Sequence, residues 1–182
     1  MDCNNWTCPV FRSLVAATPA KPGANGYIDC MTGRKLLATM ITTTTYGTWL
    51  PGDLRGYVER GVILPGDPDR LDEARQRMAR EPVLLSPTDR DAAFAALLAA
   101  ATEFDYRLLA VSIESWHLHM LLDHGYDNVA SAAGRLKTRM RQAVGRGRIW
   151  TEGYDKRFCF DNETVAHRRA YINRHDGRRI IH

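Results

Sequence analysis

The chain alternates between two hydrophobic periods. Residues 38–46 are rich in β-branched side chains and lie between Gly33 and Gly47, which predicts a strand. Residues 107–114 and 116–122 predict two further strands, joined tightly near Glu114 and Ser115, and residues 157–160 a short fourth. Helical spacing occupies the intervals. Residues 71–80 form a short charged helix. Residues 86–104 form an Ala/Leu-rich one, with Ser86 or Thr88 as cap and Pro87 in the first turn. From Asn128 to Val144 the apolar residues Val129, Ala132, Ala133, Leu136 and Met140 recur every three to four positions. A last helix, capped by Asp161 or Asn162, runs through Tyr171 to about Arg174, with Gly177 beyond its end. Without the short charged helix the order is β, α, β, β, α, β, α. Its first six elements match an α+β, ferredoxin-like split βαβ sandwich: a sheet containing antiparallel strands, with two helices packed on one face.

The leading residues 1–35 lack any such period and are rich in Pro, Gly, Ala, Asn and Thr, so a flexible leader is expected there and a single domain over 36–182. Residues 47–53 read as a turn-rich loop, and Gly145 to Gly147 as a helix stop. The 182 residues are 45% apolar and 25% charged, with no apolar run near the roughly 20 residues that a membrane helix needs. The first residues are polar and acidic, unlike an export signal, which predicts a cytoplasmic protein. The four cysteines form no CxxC pair and are expected to be reduced.

Charge is uneven. Residues 134–182 carry 13 Lys/Arg against 5 Asp/Glu, a net of +8, so the rest of this +4 chain carries −4. A basic C-terminal third on a mildly acidic body suggests a polyanion-binding surface; the blander alternative is a solvated Arg-rich helix face.

Two constellations could carry chemistry. His117 and His119 are two apart on a predicted strand, so both imidazoles project to one face and can share a divalent ion, while Leu118 points the other way. Tyr171 and His175 are four apart on the last helix and share a face. If that helix packs over the strand, both would face the ion. A phenol with a pKa near 10 is a poor nucleophile until a cation assists it. Taken singly, each group has a plain structural reading: exposed strand histidines and a core tyrosine. Tyr154, after a glycine, is a competing nucleophile without a ligand candidate one turn away. Trp49 and Trp150 could stack unpaired bases, or belong to the core. His124, His167 and His182 read as surface histidines.

The ordered set of His117-Leu118-His119, a basic helix with Arg135 and Lys137, Ile149-Trp150, Gly153 to Asp155 and Tyr171-Ile172 resembles the single-tyrosine HUH transposases. The segment 41–53 resembles the start of the REP-associated tyrosine transposase branch. The resemblance spans about residues 38–177. It implies the HUH endonuclease fold with a C-terminal helix carrying the nucleophile. It also implies a metal-dependent tyrosine transposase that nicks single-stranded DNA through a 5′-phosphotyrosine at Tyr171. The metal ligands, with magnesium or manganese as the ion, fall on His117, His119 and, where the family commonly has Gln or Asn, His175. Imidazole there favours transition metals over magnesium. The Asn-Pro that often follows the Tyr-Ile pair is replaced by His175-Asp176. Arg135, Lys137, Arg139 and Arg141 are the implied DNA-binding residues, though they occupy more than one helix face. The implied partners are single-stranded or hairpin DNA and, if the last helix crosses between subunits, a second copy of the chain. Two other readings remain: a hairpin-binding module of the same fold that has lost catalysis, and an RNA-binding split βαβ domain in which the histidine pair is incidental.

Overall fold

A computed structural model describes residues 34–59 and 62–181, so nearly all of the expected leader, and His182, lie outside the described residues. In chain order the elements are β1 (Ala38–Thr44), β2 (Tyr57–Glu59), β3 (Val62–Leu64), α1 (Pro68–Gln76), α2 (Pro87–Glu103), β4 (Arg107–Ile113), β5 (His117–Asp123), α3 (Val129–Val144), β6 (Asp155–Cys159), α4 (Asn162–Asn173) and β7 (Arg178–Arg179). They fall into two compact units, residues 49–81 and residues 34–48 with 82–181.

The smaller unit holds the β2–β3 hairpin and α1. The three-residue strands are too short to leave a period in the sequence and were not anticipated. Helix α1 starts earlier than its apolar pattern indicates, because Asp67 accepts a hydrogen bond from the Arg70 N–H and Pro68 suits the first turn. Trp49 belongs to this unit, where its indole N–H donates to the Gly56 carbonyl at 2.9 Å.

In the larger unit one antiparallel sheet runs in the order β6-β1-β5-β4-β7. Its first four strands have the split βαβ arrangement, so the chain is α+β with a ferredoxin-like core. Local sequence sets the helix limits. Ser86 and Asp89 form a reciprocal capping box on α2, Asn128 caps α3, and Asp161 caps α4. Gly145 ends α3 with a φ of 70°, in the left-handed region where glycine costs least.

Strand alternation then sorts side chains onto two faces. Ile41, Val111, Ile113, Leu118, Met120 and Leu122 pack against Leu97 of α2 and Leu136 and Met140 of α3. On the opposite face Met40, Ala110, Leu121 and Cys159 pack against Ile172 of α4. The two helices anticipated on one face are there, and the last helix covers the other.

One expectation needs correction. His124 is not a surface histidine: it is buried, with Nε2 3.0 Å from the Thr39 hydroxyl and Nδ1 donating to the Asp127 carbonyl at 2.6 Å. Satisfying both ring nitrogens offsets its burial. Of the two readings of Trp150, the core one holds: it is buried, its indole donates to the Lys137 carbonyl, and no face is left for a base. His167 is exposed, as expected.

Candidate functional site

His117 and His119 leave β5 on the α4 face and are 8% and 1% exposed. In the ladders, His117 opposes Thr44, and His119 lies between Thr42 of β1 and Ser112 of β4. The Thr42 hydroxyl sits 2.8 Å from Nδ1 of His119. The other nitrogen, Nε2, is buried without a hydrogen-bond partner. A buried polar atom left unpaired is costly, so its retention points to a ligand. Burial, then the neighbouring His117 and His175, push the pKa of His119 down to about 2. It is therefore neutral across the physiological range, the form that ligates metals.

Helix α4 is seated by Ile172 in the core and by a clamp just past its end. The Gly177 N–H donates to Glu114 Oε1 at 2.6 Å, and the Ile113 N–H donates to the Gly177 carbonyl at 2.9 Å. A Cβ on Gly177 would lie 2.4 Å from the Ile113 oxygen, so only glycine permits this approach. Strand β7 continues the attachment by pairing with β4.

So held, α4 brings Tyr171 and His175 over the pair from within the same chain. The Tyr171 ring lies 5.5 Å from that of His119 and 4.8 Å from that of His175, both edge-on. The His175 ring is 4.7 Å from His119 and 5.7 Å from His117. Nδ1 of His175 donates to the Tyr171 carbonyl at 3.1 Å, which leaves Nε2 as an acceptor.

One nitrogen from each of His117, His119 and His175 lies within 4.8 Å of the others. Donors around a tetrahedral ion stand about 3.4 Å apart, given metal–nitrogen bonds near 2.1 Å. Side-chain adjustments of about 1 Å close that gap. The orphaned Nε2 of His119 and a donor set of three imidazoles fit a divalent ion.

Tyr171 is half-buried, and burial raises its pKa, while Arg168 and Arg174 act in the opposite direction. Tyr154 packs instead against the cluster formed with α2 and α3. The four basic residues of α3 are not gathered at this site, because α3 lies on the other face of the sheet. Arg135 is engaged with Asp127 and Tyr106, Arg139 with Glu103, and Lys137 donates to the carbonyls of Thr151 and Gly153. Arg141 is exposed in the last turn.

The sequence marks Glu114 only as a strand joint and Gly177 only as a helix end; the contact between them, and that of Thr42 with His119, are not legible in it. All three act across the sheet, so only the register reveals them.

No protein-family model matches the sequence, and no curated protein does. The fold has solved counterparts. A REP-associated tyrosine transposase, solved bound to a REP hairpin, superposes with a TM-score of 0.50 at 13% identity, over 88% of this chain and 70% of that one. A protein from Deinococcus radiodurans described as a candidate transposase aligns with a TM-score of 0.44 at 14% identity, over 84% of this chain and 95% of that one. The first likeness shows that this chain has the fold of the REP-associated tyrosine transposase. No helix among the described residues is long and apolar enough to cross a membrane.

Proposed function

We propose that this chain is a transposase-type endonuclease and strand transferase acting on single-stranded or hairpin DNA, with Tyr171 as nucleophile and His117, His119 and His175 as ligands of a divalent ion. The observation that carries the reading is the packing of the Tyr171 ring against His119 and His175, two members of a three-imidazole cluster with two buried members and one half-buried.

The phenol oxygen of Tyr171 attacks a DNA phosphorus, losing its proton to solvent. The P–O3′ bond breaks, leaving a 5′-phosphotyrosine and a free 3′-hydroxyl. Attack by a 3′-hydroxyl on the phosphotyrosine reverses the step and completes strand transfer. A divalent ion, when bound, supplies Lewis-acid polarisation of a non-bridging phosphate oxygen. The chain's part is positional. Thr42 and the Tyr171 carbonyl fix the rings of His119 and His175, and the Gly177–Glu114 contact fixes the helix that carries Tyr171. A set of three imidazoles suits a transition ion better than magnesium.

An RNA-binding split βαβ domain of the stacking type presents an open sheet face with aromatic residues. Here α4 covers that face, and the histidines beneath it are buried, so that reading is disfavoured. Divalent-ion titration followed by calorimetry tests the proposal against the non-catalytic DNA-binding alternative. Manganese binding is expected in the wild-type chain and lost in His117→Ala/His119→Ala. Unchanged affinity in the double variant removes the metal site and the reaction built on it.

A further inference from the structure

We infer that Arg168 and Arg174, one helical turn before and after Tyr171, are the phosphate contacts that seat a single DNA strand at the nucleophile. The inference rests on the reading of this site as one that acts on DNA.

Residues 168 and 171 lie on α4 and residue 174 caps its C-terminus with helical backbone angles, so the three, spaced three apart, follow one ridge of the helix to its end. The two guanidiniums thus bracket the phenol, and both charges are felt at Tyr171. Neither has an ion-pair partner among the described residues, and Arg168 Nε is buried without a hydrogen bond. The contrast with α3 decides the choice. The sequence favours α3, yet Arg135 and Arg139 pair with Asp127 and Glu103, Lys137 is spent on two carbonyls, and only Arg141, exposed in the last turn, has no ion pair among the described residues. An already compensated cation adds little to the field that a phosphate feels. The uncompensated pair belongs to the helix on the other face of the sheet, on either side of Tyr171 along the chain. Successive phosphates on a flexible single strand can span a nucleophile flanked on both sides in this way, and guanidinium forks match phosphate oxygens.

The test is the salt dependence of binding to a 20-nucleotide oligothymidylate, read by fluorescence anisotropy in a Tyr171→Phe parent so that chemistry cannot intervene. Each phosphate contact on single-stranded DNA contributes about 0.7 to the slope of log affinity against log salt. Arg168→Ala/Arg174→Ala should lower the slope magnitude by about 1.4, and Arg174→Ala alone, at an exposed position, by about 0.7. Arg168→Lys/Arg174→Lys should retain most of the slope, and Arg135→Ala/Arg139→Ala should change it by less than half as much as the α4 pair. The inference is overturned by an unchanged slope in both α4 alanine variants, by a larger effect of the α3 pair, or by no binding of the parent chain. Failure here is distinct from failure of the catalytic reading. A chain that binds with the expected slopes but, with Tyr171 restored, forms no covalent DNA adduct loses only the chemistry. A chain that forms the adduct with slopes insensitive to Arg168 and Arg174 loses only this assignment.

Discussion

The Thr42 hydroxyl lies 2.8 Å from Nδ1 of His119, across a ladder in which the two residues are direct partners. With Nδ1–H donating to Thr42, the lone pair of His119 is on Nε2, the buried atom with no protein partner. Thr42 thus sets which nitrogen of the most buried histidine is available to an ion.

Replacing that hydroxyl tests its role. Thr42→Val keeps the volume but removes the acceptor, and divalent-ion affinity should fall about 10- to 100-fold by calorimetry, the usual cost of losing an orienting contact. Thr42→Ser should retain most of the affinity. Equal affinity in all three chains would make the contact incidental.

The burial of His119 has a pH signature. In the unfolded chain its imidazole takes up a proton near pH 6.5, while in the folded chain it stays neutral down to about 2. Between those values the unfolded state binds more protons, so stability rises with pH and is lost as pH falls below about 6.5. Denaturant melts of the metal-free protein from pH 7 to 4.5 should show a steeper loss in the wild type than in His119→Leu. The difference should approach about 1.4 kcal/mol per pH unit. Parallel pH profiles would contradict the burial assigned to His119.

Gly177 links stability to activity. In Gly177→Ala the new Cβ meets the Ile113 carbonyl, and the end of α4 must shift. A stability loss of about 1–3 kcal/mol is expected from thermal or denaturant melts, as for other overpacked sites. Displacing Tyr171 by about 1 Å should also slow covalent DNA attachment about 100-fold. Attachment at the wild-type rate would show that the Gly177 clamp does not position the nucleophile.

The parts of the fold that were legible in the sequence are those written in local periodicity. The β-branched and apolar runs of β1, β4 and β5 and the three-to-four spacing in α3 gave the elements, and their order gave the split βαβ core. Ser86, Asn128 and Asp161 marked helix starts because capping is local chemistry. The histidine pair was legible because two-residue spacing on a strand fixes a common face. The β2–β3 hairpin and β7 were not, since two or three residues are too few to carry a period. Thr42 was hidden because register is a tertiary property, and a shift of one residue would turn its hydroxyl to the other face. The burial of His124 was hidden because both of its partners, Thr39 and the Asp127 carbonyl, are supplied by the fold. The pairing of the α3 cations was hidden in a similar way: a count of charges does not show that Arg135 pairs with Asp127 and Arg139 with Glu103.

In the proposed site His175 supplies an imidazole as third ligand, which should bias the site toward transition ions. His175→Gln should raise affinity for magnesium relative to manganese in competitive titrations. An unchanged ratio would mean that His175 does not contribute a ligand atom.

The central claim is that the Tyr171 oxygen becomes linked to DNA, and the direct measurement is covalent capture. Incubation with a panel of 5′- and 3′-labelled hairpin DNAs and manganese, followed by denaturing electrophoresis and peptide mapping, should give a wild-type adduct with the 5′-phosphate on Tyr171, and none with Tyr171→Phe. An adduct of equal yield in Tyr171→Phe, or one mapped to Tyr154, would contradict the account.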